Sequence, residues 1–197
     1  MENSQLMNQS YFIKKQQKQV GLGRLGEWFW GFQRDVNCIP DIVTIGKGLG
    51  NGYPIGAVVC TQEVADALDA EGREVFSTFG GNPVACQAAL SVLQIIKNEK
   101  FQSNARQTGE YFRHQLEMLK SSFIKEIRGS GLFIGIEFTH SKVARTILKR
   151  MYDVHHVLAS LDGPDDVVMV VKPPLCWTTK QVDEFVQALE ESLDLLT

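Results

Sequence analysis

The sequence predicts an α/β fold followed by a small α+β unit, and three observations carry that expectation. Short apolar runs at 39–45 and 55–60 bracket a glycine-rich loop and lead into a helix, the alternation of an α/β layer. Two stretches with apolar residues at helical spacing follow, Val84, Ala88, Val92 and Ile96, then Tyr111, Phe112, Leu116 and Leu119. Beyond them, short strand-like runs alternate with helical ones, the pattern of helices laid on one side of a mainly antiparallel sheet.

The elements follow in order. Residues 1–19 are polar, rich in Gln, Asn and Lys, with Glu2 as the only acid, and read as a poorly ordered leader. The leader lacks the apolar stretch of a secretory signal and has no arginine, so it resembles a mitochondrial presequence only weakly. Gly21–Gly31 is dense in glycine and aromatics. A short buried strand is expected after Pro40, ending at Gly46, and a second strand from Ile55 to Cys60. Thr61 has the position of an N-cap for a short helix. Asn82 is expected to cap a helix that begins at Pro83 and runs to about Asn98, and a second helix covers about Ser103 to Lys120. Strands are expected at 124–128 and 132–138, joined by the turn Gly129-Ser130-Gly131. A helix near 143–152, strands at Val157–Ser160 and Val167–Val171, and a helix from about Thr179 to Leu195 complete the chain, with Pro173-Pro174 ending the last strand. The domain boundary is placed near Asn104, within a helical stretch.

Composition excludes several function classes. A net charge of −3 gives no basic footprint for nucleic acid or an anionic membrane. No apolar run reaches the length of a membrane span. Cys38, Cys60, Cys86 and Cys176 form no C-x-x-C pair and read as free thiols. His155 and His156 are adjacent, so neither helix nor strand aims both at one metal, and no metal site is expected.

Two motifs bear on chemistry. Gly21-Leu-Gly-Arg-Leu-Gly26 fits G-x-G-x-x-G, but a dinucleotide site needs a preceding apolar strand and a following helix. Here Lys14-Lys-Gln-Gln-Lys-Gln19 precedes it and Glu27-Trp-Phe-Trp30 follows, so a glycine-rich turn is the better reading. Lys47 sits between Gly46 and Gly48 just after the first strand. It is no P-loop lysine, because Asp41 stands six residues before it and Gly48 replaces the required Ser or Thr. Taken alone, a lysine among glycines is more often a solvated loop residue.

The loop does not stand alone. Thr44-Ile-Gly-Lys-Gly-Leu-Gly-Asn-Gly-Tyr-Pro54, preceded by Pro40-Asp41, resembles the pyridoxal-lysine segment of class III aminotransferases. Thr78-Phe-Gly-Gly-Asn-Pro83 is similar to that family's second hallmark, and Gly21–Gly26 to its glycine–arginine turn. Arg128-Gly-Ser-Gly-Leu132 with Gly135-Ile-Glu137, and Lys172-Pro-Pro-Leu175, resemble segments of its C-terminal domain. The resemblance runs from Val20 to the end of the chain in five ordered matches. It implies part of the large domain of a fold-type I pyridoxal-phosphate transferase at 20–104 and a small α+β C-terminal domain at 105–197.

The resemblance also implies roles. Lys47 would form an aldimine with pyridoxal 5'-phosphate and then act as acid–base catalyst, which needs an unprotonated amine favoured by desolvation and nearby positive charge. Thr78 would bind the cofactor phosphate in the neighbouring subunit's site, so a homodimer is implied. Gln16 stands where the family has an aspartate that pairs with the pyridine nitrogen, and a neutral amide cannot replace that charge. No long preceding region supplies the family's phosphate-binding loop and its ring-stacking aromatic, so a truncated chain is expected. Ser160-Leu-Asp-Gly-Pro164 followed by Lys172-Pro-Pro-Leu-Cys176 looks closest to the phospho-lyase branch, which removes phosphate from ethanolamine phosphate or phosphohydroxylysine, with the alanine–glyoxylate aminotransferase 2 type near it. The expected partners are a small amine, either an amino acid or a phosphorylated amine, and a second copy or a full-length homologue, in a mitochondrial or cytoplasmic setting. Two readings of function follow: a catalytic phospho-lyase or transaminase, or a non-catalytic remnant that associates with a full-length homologue.

Overall fold

Among the described residues, local signals are met by two separate sets of strands and helices. The computed structural model describes residues 16–18, 21–72 and 76–196. The remainder of the expected leader lies outside the described residues, as do the side chains of the three-residue strand within it. By packing, the described chain divides into two compact units, one holding Gln16–Lys18 and Gly31–Gln94 and the other Gly21–Trp30 and 95–196.

In the first unit, β1 (Gln16–Lys18) runs parallel to β2 (Ile42–Ile45), and β2 pairs antiparallel with β3 (Ala57–Cys60). The register matches Ile42 with Cys60 and Ile45 with Ala57. Both strands lie inside the stretches expected from their β-branched residues. The expectation of a buried strand is corrected: Ile42–Ile45 are half-buried throughout, and β3 is largely exposed, with Val58 68% accessible. This sheet is only three strands wide among the described residues, and β3 is its edge.

Helix α1 (Gln62–Ala70) starts after Thr61 as expected, but the Thr61 hydroxyl makes no capping bond. Its backbone N–H donates to the Asp41 carbonyl at 3.0 Å instead, tying the helix start to the start of β2. Helix α2 (Pro83–Asn98) has the cap its sequence announces. Asn82 Oδ1 accepts from the backbone N–H of Val84 at 3.0 Å and of Ala85 at 3.1 Å, and Pro83 gives up no needed donor at the first helical position. The expected stripe is only partly covered: Ile96 is buried, Ala88 and Val92 are half-buried, and Val84 is exposed. Replacing Asn82 with Ala should cost about 1 kcal/mol of stability, read as a lowered midpoint when helix signal is followed by circular dichroism on heating. An unchanged midpoint would show that the cap contributes nothing.

The second unit contains the apolar core. Helix α3 (Phe101–Met118) leads to the hairpin of β4 (Ile124–Ser130) and β5 (Phe133–Phe138), then to α4 (Ser141–Asp153), β6 (Ser160–Asp162), β7 (Val168–Val171) and α5 (Thr179–Asp194). The sheet order is β4-β5-β7-β6, antiparallel throughout. Alternation along β5 buries Ile134, Ile136 and Phe138, which join Met169 and Val171 of β7 beneath the helices. Phe112 and Leu116 of α3, Ile147 and Met151 of α4, and Val182, Phe185 and Leu189 of α5 complete that layer. Phe112 stands edge-on to Phe185 at 5.2 Å and to Trp177 at 5.9 Å, a geometry that suits the ring quadrupoles. Tyr111 and Leu119, expected inside, pack at the core's margin, and the Tyr111 hydroxyl donates to Asp183 at 2.7 Å. Helix α5 opens with a capping box between Thr178 and Gln181.

One strand is displaced from its expected place. Val157–Ser160 does not form a strand; β6 begins at Ser160. The cause is local. His156 takes a left-handed conformation with φ 55°, and the Val157 N–H closes onto the Met151 carbonyl at 2.8 Å. These residues therefore end α4, and pairing starts only where Ser160 meets Val170 and Asp162 meets Val168.

Candidate functional site

Lys47 lies where β2 stops. Gly46 has an extended backbone, and Lys47–Leu49 form a single 3₁₀ turn with Leu49 and Gly50 buried beneath it. Leu49 N–H donates to the Gly46 carbonyl and Gly50 N–H to that of Lys47, both at 3.2 Å. Lys47 itself has φ 46°, a left-handed conformation that a side chain tolerates poorly and that recurs at functional turns. The turn anchors by its apolar end and presents the lysine outward. Among the described residues the Lys47 side chain is exposed and has no hydrogen bond or ion pair. None of the described side chains closes over it.

Thr78 occupies the turn before α2. Gly80 N–H donates to the Ser77 carbonyl at 3.0 Å and Asn82 N–H to that of Phe79 at 3.2 Å, so two turns feed directly into the capped helix. The Thr78 hydroxyl is exposed and without a partner among the described residues. It stands four residues before Asn82, the cap of a 16-residue helix whose N-terminal dipole favours an anion. Phe76 and Phe79 flank it with their rings 85% and 77% accessible. Lys47 and Thr78 both belong to the first unit, and no hydrogen bond joins them among the described residues. Taken separately, a free primary amine suits an aldehyde, and a free hydroxyl ahead of a helix start suits a phosphate. The backbone of Gln16 pairs with Ile42 in β1; its side chain is not among those described.

The glycine–arginine turn belongs to the second unit, where sequence patterns alone gave it no role. Arg24 donates from its guanidinium to the Leu132 carbonyl at 3.2 Å and to the Pro173 carbonyl, while the Leu132 N–H returns a bond to the Arg24 carbonyl at 2.9 Å. Ser130 Oγ donates to the Leu25 carbonyl at 2.9 Å. Burial lowers the pKa of Arg24 below its ordinary value. Three of the five quoted motifs therefore meet at one side chain. Nearby on β4 and β5, Glu137 accepts from Lys125 and from Arg128, both at 2.5 Å, and Arg128 also reaches Glu126 at 2.7 Å. Hydrogen bonds from Lys125 and Arg128 hold the Glu137 carboxyl below the usual carboxylate range. Among the described residues no group of three or more His, Cys, Asp and Glu side chains is arranged to hold a metal ion, and no helix is long and apolar enough to cross a membrane.

Comparison with known proteins bears on the whole described chain. The family model described as Aminotransferase class-III matches residues 17–193. An alanine–glyoxylate aminotransferase 2-like protein of Drosophila melanogaster is 43% identical over 185 residues, which are 89% of this chain and 37% of the relative. An ethanolamine-phosphate phospho-lyase homolog 1 of Caenorhabditis elegans is 39% identical, over 90% of this chain and 40% of its own length. Among solved structures, a phospholyase from Arthrobacter in complex with phosphoethanolamine superposes with a TM-score of 0.86 at 36% identity, covering 91% of this chain and 44% of that one. An S-selective transaminase from Bacillus megaterium gives 0.80 at 30% identity, covering 89% and 42%. The chain thus spans about two fifths of the length of the curated relatives it matches.

Proposed function

The chain belongs to the class III aminotransferase family, whose cofactor is pyridoxal 5'-phosphate, and from that premise we propose that Lys47 is its cofactor-binding lysine and that its chemistry acts on a small primary amine. The observation that carries the proposal is the Lys47 turn: an unpartnered amine held outward on a glycine-flanked turn at the end of β2, inside the matched segment. In this reading residues 20–104 are the cofactor-binding part and 105–197 the small domain.

Lys47 would hold the cofactor through its ε-amine, and Thr78 would offer its hydroxyl to a phosphate at the start of α2, in the site of a second copy. Bound there, the cofactor supplies an electron sink for the pair left at the substrate's α-carbon. With a substrate amine bound, the ε-amine of Lys47 would accept the α-proton and act as general base. For a phosphorylated amine, loss of that proton would be followed by cleavage of the carbon–oxygen bond at the β-carbon, the bonding pair leaving with the phosphate. For a transaminase, Lys47 would instead hold that proton and return it as general acid. The phospho-lyase course is favoured by Ser160–Pro164 and Lys172–Cys176, and by likeness to a phospholyase solved with phosphoethanolamine. The likeness to alanine–glyoxylate aminotransferase 2 relatives keeps transamination as the second course.

The test is to incubate purified protein with pyridoxal phosphate, reduce with borohydride and map the labelled peptide by mass. Label confined to the Lys47 peptide is the expected result, and assays with ethanolamine phosphate and with alanine plus glyoxylate then separate the two courses. Label scattered over surface lysines would overturn the catalytic reading. It would leave the second one, association with a longer homologue, which the exposed Phe76, Phe79 and Val84 around Thr78 favour.

A further inference from the structure

The second unit contains a cavity of about 160 Å³ that none of the roles above uses. It exists because three backbones close on one another. Gly109 of α3 lies against Gly131 of the β4–β5 turn, and Gly131 lies against Arg24 and Leu25, so tightly that a Cβ on either glycine would collide with backbone. The floor is therefore backbone of Gly129–Gly131 and Gly109, with Ile134 at the back. The walls are charged. Arg106, Glu110 and Arg113 project along one face of α3 at i, i+4 and i+7, and Glu27 comes from the Gly21–Trp30 segment.

The charges are balanced but do not neutralise each other. Among the described residues the side chains of Glu27, Arg106 and Glu110 have no ion pair or hydrogen bond, and Arg113 reaches only Glu117, outside the cavity, at 3.6 Å. Arg106 and Glu110 are placed for the pairing that helices commonly show, yet both stay free at the cavity. A lone anion would meet two carboxylates there, and a lone cation two guanidinium groups. A molecule with both charges satisfies all four. Its anionic end suits the forked donors of Arg106 and Arg113, and its ammonium suits Glu27 and Glu110. A volume near 150 Å³ holds a ligand the size of benzene, and this cavity opens to solvent between its four exposed charged side chains, so it suits an occupant of about six to eight heavy atoms whose charged ends lie at the mouth.

We propose that this cavity is a binding site for a small zwitterion, an ammonium joined by a short chain to a phosphate or carboxylate. The site lies wholly within the second unit and is distinct from the Lys47 and Thr78 turns. It does not depend on cofactor chemistry. A ligand there would bridge α3, the hairpin and the Gly21–Trp30 segment, so binding should raise the thermal midpoint of that unit.

The test titrates the full chain, without cofactor, with O-phosphoethanolamine and β-alanine at millimolar concentration and follows the backbone amides of Gly109, Gly129 and Gly131 by NMR. Inorganic phosphate and ethanolamine supply each charge alone. Saturable shifts at these amides, at least about tenfold weaker for either half-ligand, are expected. Arg106→Gln with Arg113→Gln should weaken O-phosphoethanolamine by about tenfold or more, and Glu27→Gln with Glu110→Gln should weaken it while tightening inorganic phosphate, which then meets no carboxylate. All four side chains are exposed at the cavity mouth, so these variants should keep the wild-type melting curve. No shifts at the three amides, shifts that survive both double variants, or phosphate binding as tightly as the zwitterion would each overturn the assignment.

Discussion

Lys47→Ala is expected to remove the borohydride-fixed label from its peptide completely and to lower any turnover of an amine substrate by on the order of 10²–10⁴-fold or more. The argument rests on position and on donor chemistry. The 3₁₀ turn presents one primary amine at the end of β2, and alanine leaves the turn's backbone bonds intact, because the Leu49 and Gly50 N–H groups bond to carbonyls and not to the side chain. The loss is therefore chemical and leaves folding unchanged. Alanine at a left-handed position is somewhat strained, as lysine already is, so the melting curve should move little. Lys97→Ala, an exposed change on α2, supplies the comparison; it should retain both the label at Lys47 and the turnover. Equal labelling of the wild type and Lys47→Ala would mean that the cofactor aldehyde reacts with other amines, and the site assignment would fall.

How much of this was legible depended on how local the signal was. Helix α2 could be read from Asn82-Pro83 and its stripe because capping is settled within four residues. The β4–β5 hairpin could be read from alternation around Gly129–Gly131, and its glycines are needed where they stand, since Gly131 has φ 54°. The displaced strand at Val157 was not legible. Val157 and Leu158 are apolar and suit a strand, and only the capture of the Val157 N–H by the Met151 carbonyl decided otherwise. The family resemblance located Lys47 and Thr78, but exposure could not be read from the loop, because it depends on what packs above it. The Gly21–Gly26 turn shows the same limit most sharply. As a sequence it is a glycine-rich turn, and its partners stand more than a hundred residues away, where no periodicity can point.

Arg24→Ala is expected to destabilise the second unit by about 2–4 kcal/mol, more than loss of a typical surface contact. One guanidinium donates to the Leu132 carbonyl and to the Pro173 carbonyl. Its removal leaves two part-buried acceptors without their charged donor, and each such bond contributes about 1.5–3 kcal/mol, reduced here by the water that can enter a half-exposed site. The consequence is also geometric. Leu132 ends the hairpin turn and Pro173 follows β7, so Arg24 ties the neighbouring ends of the two central strands, where Ile134 faces Val171, to the Gly21–Trp30 segment. Burial of the guanidinium works against this gain by disfavouring the charged form, which is why its pKa lies below the ordinary value. That cost is present wherever the group is charged and would be relieved only as pH approaches the arginine's titration range, so it is constant between about pH 5 and 9, where the group stays protonated in both states. The difference between wild type and Arg24→Ala should therefore be flat across that range. All three tryptophans, Trp28, Trp30 and Trp177, belong to the second unit, so their fluorescence during urea unfolding reports on that unit alone. A midpoint lowered at constant slope, equally at both pH limits, is the expected result. A change below about 0.5 kcal/mol, the level of an ordinary surface substitution, would show that water replaces the guanidinium without loss and that the turn is held by its glycine contacts instead.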